Sequence, residues 1–402
     1  MRKNGVNTEL RPIRGGICAP EGFKAGGVAC GIKGGEQRDL AMIVAERRCR
    51  TACVYSQTPR VGAPIPVTKK HLSNGLAQAV LINSGVANVF MAEGERFAQD
   101  AARLVEKYHN ISYDDVVIAS TGEIGKPLTL APFDRGIAAL RVHMGRGGEF
   151  SVAAADAITS VGERAKDFSF SFDLGDYPCK IGGIYKGKLH LNPNMATTLV
   201  FITTDVNISQ KMLSRALAAE TRETLNMLAL DGEPSPNDTA CIMTTGKAGN
   251  YLIDCVDSEY LKFTRALRAV LTYICDDIAQ QSDGKALLCT VLGARSKQVS
   301  RAISKKIATS DVVKKSLLRN DIDVDGILYI LSEFDAVGDY ACVEIYLQAG
   351  EKRLVLYEDE KKIRAPEELR REMLRAPKAN LCVRIGYGNY ASTAYGSAIS
   401  EK

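Results

Sequence analysis

At 402 residues the chain exceeds one ordinary hydrophobic core, and its length predicts two or three domains. With 46% hydrophobic and 25% charged residues it has the composition of a folded globular protein, which excludes a disordered or low-complexity chain. Its 52 basic and 47 acidic residues leave a net charge of only +5, too little to imply nucleic acid, and no apolar run approaches the roughly 18 residues of a membrane span.

Taken in order, the first stretch is glycine-rich. Gly15-Gly16, Gly22, Gly26-Gly27 and Gly31 alternate with small apolar residues, which predicts short strands and turns with closely approaching backbones. It is no phosphate loop, because neither GxGxxG nor GxxxxGKS/T is present. Residues 77–82 read as a buried strand ending in Asn83-Ser84-Gly85-Val86-Ala87-Asn88, turn chemistry that also suits the edge of a site. From 94 to 108, Phe97, Ala101, Leu104 and Val105 recur at helical spacing. A second apolar run at 116–119 ends in Ser120-Thr121-Gly122-Glu123-Ile124-Gly125. That segment either makes an ordinary strand-end turn or aims backbone N–H groups at an oxyanion.

Residues 168–174 and 178–185, joined at Gly175-Asp176, predict a hairpin leading to the middle of the chain. There a turn, Asn192-Pro193-Asn194, runs through Met195-Ala196-Thr197-Thr198 into an apolar strand and Thr203-Thr204-Asp205. Ser209 caps a helix whose apolar face begins with Met212, Leu213 and Leu217; residues 230–239 form a loop, 240–244 a strand and 260–281 a long helix. Past 288 come basic helical segments and then strands at 341–347, 353–357 and, last, 381–385, which predicts a smaller C-terminal domain from about residue 290. The basic residues between 295 and 319 read as a solvated helix face rather than a phosphate-binding patch.

The eleven cysteines show no CxxC or Cys/His spacing, so neither a disulfide framework nor a metal site is expected; most read as small buried residues in a reducing compartment. Residues 1–16 contain no apolar targeting core, and a cytoplasmic protein is expected. The four histidines, of which His190 is nearest the central turn, have no partner spacing, and HExxH and GxSxG are absent. Threonine remains as a nucleophile. Its hydroxyl needs an adjacent base, which an N-terminal threonine supplies through its own α-amine. In mid-chain this requires the protein to cut itself, here between Ala196 and Thr197. From the residues alone a plain turn into a threonine-rich strand accounts for the segment as well.

Several blocks carry a family resemblance. They are Lys186-Gly187 followed by Pro193-Asn194-Met195-Ala196-Thr197, residues 16–33, Asn83-Ser84-Gly85 with Ala87-Asn88, Ser120-Thr121-Gly122 with Ile124-Gly125, and Asp231-Gly232 with Ser235 and Asn237-Asp238-Thr239. In this order the sequence resembles the ornithine acetyltransferase (glutamate N-acetyltransferase) family of the arginine pathway. The resemblance implies an α/β fold, a layered α+β sandwich autoprocessed like the N-terminal-nucleophile enzymes. It divides the chain into an α fragment, 1–196, a nucleophile-bearing part, 197–289, and the C-terminal domain, 290–402. It implies ping-pong transfer of an acetyl group from N-acetylornithine to glutamate, with Thr197 as nucleophile and amine base and with Thr121 and Gly122 at the oxyanion. Lys186, Ser160, Lys285, Asn389 and Thr393 fall at substrate-binding positions. No metal or organic cofactor is implied. Some members accept acetyl-coenzyme A, and two cleaved chains pair into an α2β2 assembly without nucleic acid or membrane.

The sequence also departs from the family pattern. Its Thr-Thr-Asp-Thr-x-Pro-Lys block stands here as Ser160 to Lys166, and Lys285 occupies the place of a substrate-binding glutamate, which reverses the local field. Near the C-terminus Gly386 or Asn389 takes the asparagine position. A divergent acyltransferase, an amidohydrolase acting on another N-acyl amine, and a non-catalytic paralogue are the alternatives these departures raise.

Overall fold

The computed structural model describes residues 9–160, 166–187, 197–229, 234–280, 284–335, 340–364 and 366–398. Ala196, His190, the 161–165 part of the altered block and the Asp231-Gly232 match lie outside the described residues. The architecture is α/β, and the described residues fall in two compact units: those within 1–187, 192–220 and 234–269 form one, and those within 221–233 and 270–402 the other.

The strands of the first unit are β1 (Arg11–Pro12), β2 (Phe23–Val28), β3 (Leu40–Tyr55), β4 (Leu76–Asn83), β5 (Val116–Ser120), β6 (Asp167–Leu174), β7 (Tyr177–Lys186), β8 (Leu199–Thr204) and β9 (Thr239–Thr244). They make one mixed sheet in the order β1-β6-β7-β8-β9-β3-β4-β5, with β2 also on β3. Its helices are α1 (Pro64–His71), α2 (Gly94–His109), α3 (Leu130–His143), α4 (Gly148–Ile158), most of α5 (Gln210–Glu223) and the first half of α6 (Ser258–Gln280).

Both faces of this sheet are covered, and the two-residue period of the strands sorts side chains between two cores. Ala41, Ile43 and Ala45 in β3, Val80 and Ile82 in β4, and Val117 and Ala119 in β5 join Ala154, Ala157 and Ile158 of α4. The intervening Leu40, Met42, Val44, Ala79, Leu81, Val116 and Ile118 face Ala98, Ala101 and Val105 of α2 and Phe133, Ile137 and Leu140 of α3. Helix α4 lies so close on β2 that a Cβ at Gly27 would stand 2.0 Å from the Ala153 carbonyl oxygen.

The sixteen-residue β3 changes partners along its length. Its first half pairs with β2 and β4; the register on β4 shifts between Val44 and Cys49, and residues 50–55 pair with β9. Glu46, Arg47 and Arg48 are exposed at the irregularity, where an added residue twists and bends a strand. The bend lets loops from opposite ends of β3 meet.

The second unit adds β10 (Lys285–Ala294), β11 (Glu344–Ala349), β12 (Lys352–Glu358), β13 (Lys361–Lys362), β14 (Lys378–Arg384) and β15 (Tyr390–Ala398), in the order β13-β12-β11-β14-β10-β15. Helices α7 (Lys297–Thr309), α8 (Asp311–Leu318), α9 (Val324–Ser332) and α10 (Glu367–Arg375) accompany it. Ser296, Ser310 and Asp323 cap α7, α8 and α9 by accepting the N–H three residues on. The chain does not end in a strand at 381–385 as the sequence suggested: β15 follows, running antiparallel along β10. Among the described residues no helix is long and apolar enough to cross a membrane.

Candidate active site

Three strands bring the central segment together. Lys186 in β7 stands opposite Leu199 in β8, and Leu199 opposite Thr239 in β9. Thr197 and Thr198 lie just before this row, as do residues 235–238. Thr197 is buried, with 3% of its surface exposed. Its Oγ1 shares a hydrogen bond of 2.9 Å with Ser235 Oγ, in which either hydroxyl can donate. Thr198 N–H donates to Asp238 Oδ1 at 2.7 Å, and Thr239 N–H to the Thr198 carbonyl at 3.0 Å. Burial pushes the Asp238 carboxyl up to about 7 against the backbone N–H groups of Thr198 and Ser235, which favour its charged form.

The second part of the site is built at the ends of the parallel pair β4 and β5. Asn83 takes a 2.6 Å hydrogen bond from Ser120 Oγ and donates to the Val86 carbonyl at 2.8 Å, which fixes the turn that follows β4. Thr121 N–H donates to the Asn83 carbonyl at 3.0 Å, and Glu123 N–H to the Gly85 carbonyl at 3.2 Å. Between them Gly122 has φ +135°, and a Cβ there would stand 2.2 Å from the Gly85 carbonyl carbon. Only glycine lets the two turns touch in this way. The Thr121 hydroxyl is wholly buried and has no hydrogen-bond partner among the described residues, a costly arrangement for a polar atom unless something else uses it.

Asn237 joins the two parts. Its Nδ2 donates to the Ala87 carbonyl at 2.6 Å, and its backbone N–H to Ser235 Oγ at 3.3 Å. A continuous path of contacts thus runs from Thr197 through Ser235, Asn237 and Ala87 to the turn against which Gly122 packs. Asn237 Oδ1 and Asn88 Oδ1 in these loops are also buried without partners among the described residues. Lys186, 4% exposed, donates from Nζ to Ser160 Oγ. Ser160 lines a cleft of about 620 Å³ that also includes Lys33, Arg38, Asp156 and His143.

The remaining expected substrate residues belong to the second unit. The Lys285 ammonium donates to Asn320 Oδ1 at 2.6 Å, to the Leu317 carbonyl at 3.5 Å and to the Leu374 carbonyl; burial lowers its pKa. Thr393 Oγ1 shares a 2.9 Å hydrogen bond with Thr290 Oγ1, and Asn389 is exposed. Among the described residues no group of three or more His, Cys, Asp or Glu side chains could hold a metal ion. His71 and His109 are engaged by the carbonyls of Val116 and Ile137.

Ser235, Asn237 and Asp238 matter more to this arrangement than the sequence indicated. They appeared there only as part of a matching block, and their proximity to Thr197 arises from strand pairing across 38 to 41 residues. The unpartnered hydroxyl of Thr121 likewise had no signal beyond its block.

The ArgJ family's sequence pattern matches residues 24–402. The "Arginine biosynthesis bifunctional protein ArgJ" of Caldanaerobacter subterraneus subsp. tengcongensis is 31% identical over 391 residues, 96% of each chain. That of Bacillus subtilis is 30% identical over 394 residues, 96% of this chain and 94% of the relative. Among solved structures, an arginine biosynthesis bifunctional protein ArgJ from Bacillus halodurans is 25% identical with a TM-score of 0.44, covering 48% of this chain and 99% of that one. The ornithine acetyltransferase of Mycobacterium tuberculosis, solved in complex with ornithine, is 28% identical with a TM-score of 0.38, covering 41% of this chain and 88% of the other.

Proposed function

The chain belongs to the ArgJ family, and from that premise we propose that it is a self-processing acetyltransferase in which Thr197 carries an acetyl group from N-acetylornithine to glutamate. The observation that carries this reading is the seating of Thr197. It is a buried hydroxyl, bonded among the described residues to another hydroxyl, in a loop crossing pinned by Asp238 on the next residue. Among the described residues no histidine, lysine or carboxylate hydrogen-bonds Thr197 Oγ1, which favours its own α-amine as the base.

In the processing step Thr197 Oγ attacks the Ala196 carbonyl and the peptide nitrogen leaves as an amine, taking a proton. The resulting ester is hydrolysed by water, which frees the new N-terminus. An α-amine with a pKa of about 8 is partly neutral near pH 7 and accepts the Oγ proton as Oγ attacks the acetyl carbonyl of N-acetylornithine. The proton then goes to the departing ornithine amine, and the acetyl group stays on Oγ as an ester. The glutamate amine attacks that ester, and Thr197 recovers its proton. This balances without a cofactor.

The tetrahedral oxyanion needs preorganised donors. Thr121 N–H is committed to Asn83, so the candidates are the partnerless Thr121 hydroxyl and Gly122 N–H. Lys186, held by Ser160, is suited to the α-carboxylate shared by donor and acceptor. Two processed chains are expected to pair as α2β2. Incubation with N-acetylornithine, with and without glutamate, tests the reading. Glutamate-dependent ornithine release is the expected result. Release that ignores glutamate assigns an amidohydrolase, an alternative kept in view by Lys285 and by the block from Ser160 to Lys166. No release in either case overturns the proposed substrate.

A further inference from the structure

The second unit contains a cleft of about 450 Å³ between the turn after α8 and helix α10, lined by Arg319, Arg370, Arg371 and Arg375 together with Asp321 and Glu367. Glu367, Arg371 and Arg375 follow at four-residue intervals along α10 and so share one helix face. Arg371 and Arg375 are like charges at a spacing that destabilises a helix. Acidic residues are not lacking on α10, but Glu372 pairs with Lys352 at 2.6 Å and does not line the cleft.

Two of the four guanidinium groups are neutralised. Arg370 Nη1 meets Asp321 Oδ1 at 2.9 Å, and Arg371 pairs with Glu367. Arg319 and Arg375, both exposed, have no acid partner among the described residues. Arg370 Nε is buried with no acceptor among the described residues, a donor whose water has been removed and not replaced. Lys285 adds a fifth cation at the edge, since its ammonium donates to Asn320 of the same cleft wall and to the Leu374 carbonyl of α10. With four guanidinium groups against two carboxylates, the lining has an excess of two positive charges.

We infer that this cleft binds a small phosphate-type dianion, held by Arg319 and Arg375 with Arg370 Nε as a further donor. Planar guanidinium forks match the oxygens of phosphate in pairs, which a set of lysines would not. The basic side chains here gather round a concavity, and one of them leaves a buried donor, Arg370 Nε, unused; a solvated basic surface would spread its charges and satisfy every donor with water. The inference does not depend on the acyl-transfer reading: Arg319, Arg370 and Arg375 have no part in it, and Lys285, which the family resemblance puts at a substrate position, only borders the cleft.

Isothermal titration of the full chain at low ionic strength, with inorganic phosphate and pyrophosphate as probes, tests it. One saturable site per chain is expected. The double variant Arg319→Ala/Arg375→Ala should weaken pyrophosphate at least about tenfold, whereas Lys361→Ala/Arg364→Ala, which removes the same charge outside the cleft, should leave it unchanged. Arg319→Lys/Arg375→Lys keeps the charge but not the fork and should bind more weakly than the wild type. Succinate, a dianion of different geometry, should bind more weakly than phosphate. Both exposed arginines tolerate substitution without loss of core, and an unchanged thermal midpoint verifies this. No saturable heat at millimolar probe, equal losses in the two alanine double variants, or unchanged binding by Arg319→Ala/Arg375→Ala would each overturn the inference.

Discussion

Asp238 offers the sharpest physical test of the site. Its carboxyl is moved from 3.8 to about 7 by burial, and each tenfold change in proton affinity is worth about 1.4 kcal/mol. The folded state therefore binds this proton more tightly than the unfolded chain. The corresponding stability is fully present below pH 3.8 and is lost as pH rises through 7. The whole effect is about 4 kcal/mol, of which roughly 2 to 3 kcal/mol falls between pH 5 and pH 8. Asp238→Asn keeps an oxygen for the Thr198 N–H but cannot ionise. Relative to that variant, the wild type should lose roughly 2 to 4 °C of thermal midpoint between pH 5 and pH 8. Scanning calorimetry of both proteins across this range measures it. A constant difference at every pH would refute the argument that the carboxyl beside Thr198 is desolvated.

Gly122→Ala should be among the most damaging single changes, because its Cβ meets the Gly85 backbone at 2.2 Å and the backbone is left-handed there; a loss of at least about 2 kcal/mol is expected by denaturant titration, with acetyl transfer abolished. Ser235→Ala removes the hydrogen bond to Thr197 and should slow processing and turnover by roughly tenfold, about the worth of one buried hydrogen bond, as read from single-turnover acetylation. Phe90 is 75% exposed and has φ 58°, a conformation unfavourable for a bulky residue. Phe90→Asn should raise stability by about 0.5 to 1 kcal/mol, measured as an increase in thermal midpoint.

Segments with strong periodicity were legible in the sequence. The apolar runs at 77–82 and 116–119 appear as β4 and β5, and the helix expected over 94–108 appears as Gly94–His109 with Ala101 and Val105 buried. Ser209 accepts the Met212 N–H, as a helix cap should. The longest strand, Leu40–Tyr55, was hidden because Glu46, Arg47 and Arg48 interrupt its apolar pattern at the bend. In strand Tyr390–Ala398 the strand-favouring Tyr390, Thr393 and Tyr395 are interspersed with alanine, serine and glycine and leave no clear apolar alternation, and its pairing with β10 and packing against α7 hold it in place. Asp238 stayed silent for a different reason. Its raised pKa depends on what surrounds it, and one sequence does not show which loops meet.

The acyl-transfer mechanism requires Thr197 to become an N-terminus, and intact-mass measurement of the purified protein tests this most directly. Cleavage after residue 196 divides the 402-residue chain into fragments of 196 and 206 residues. These two masses are expected for the wild type, and a single full-length mass for Thr197→Ala. A wild-type protein that remains one uncut chain yet transfers acetyl groups would contradict it.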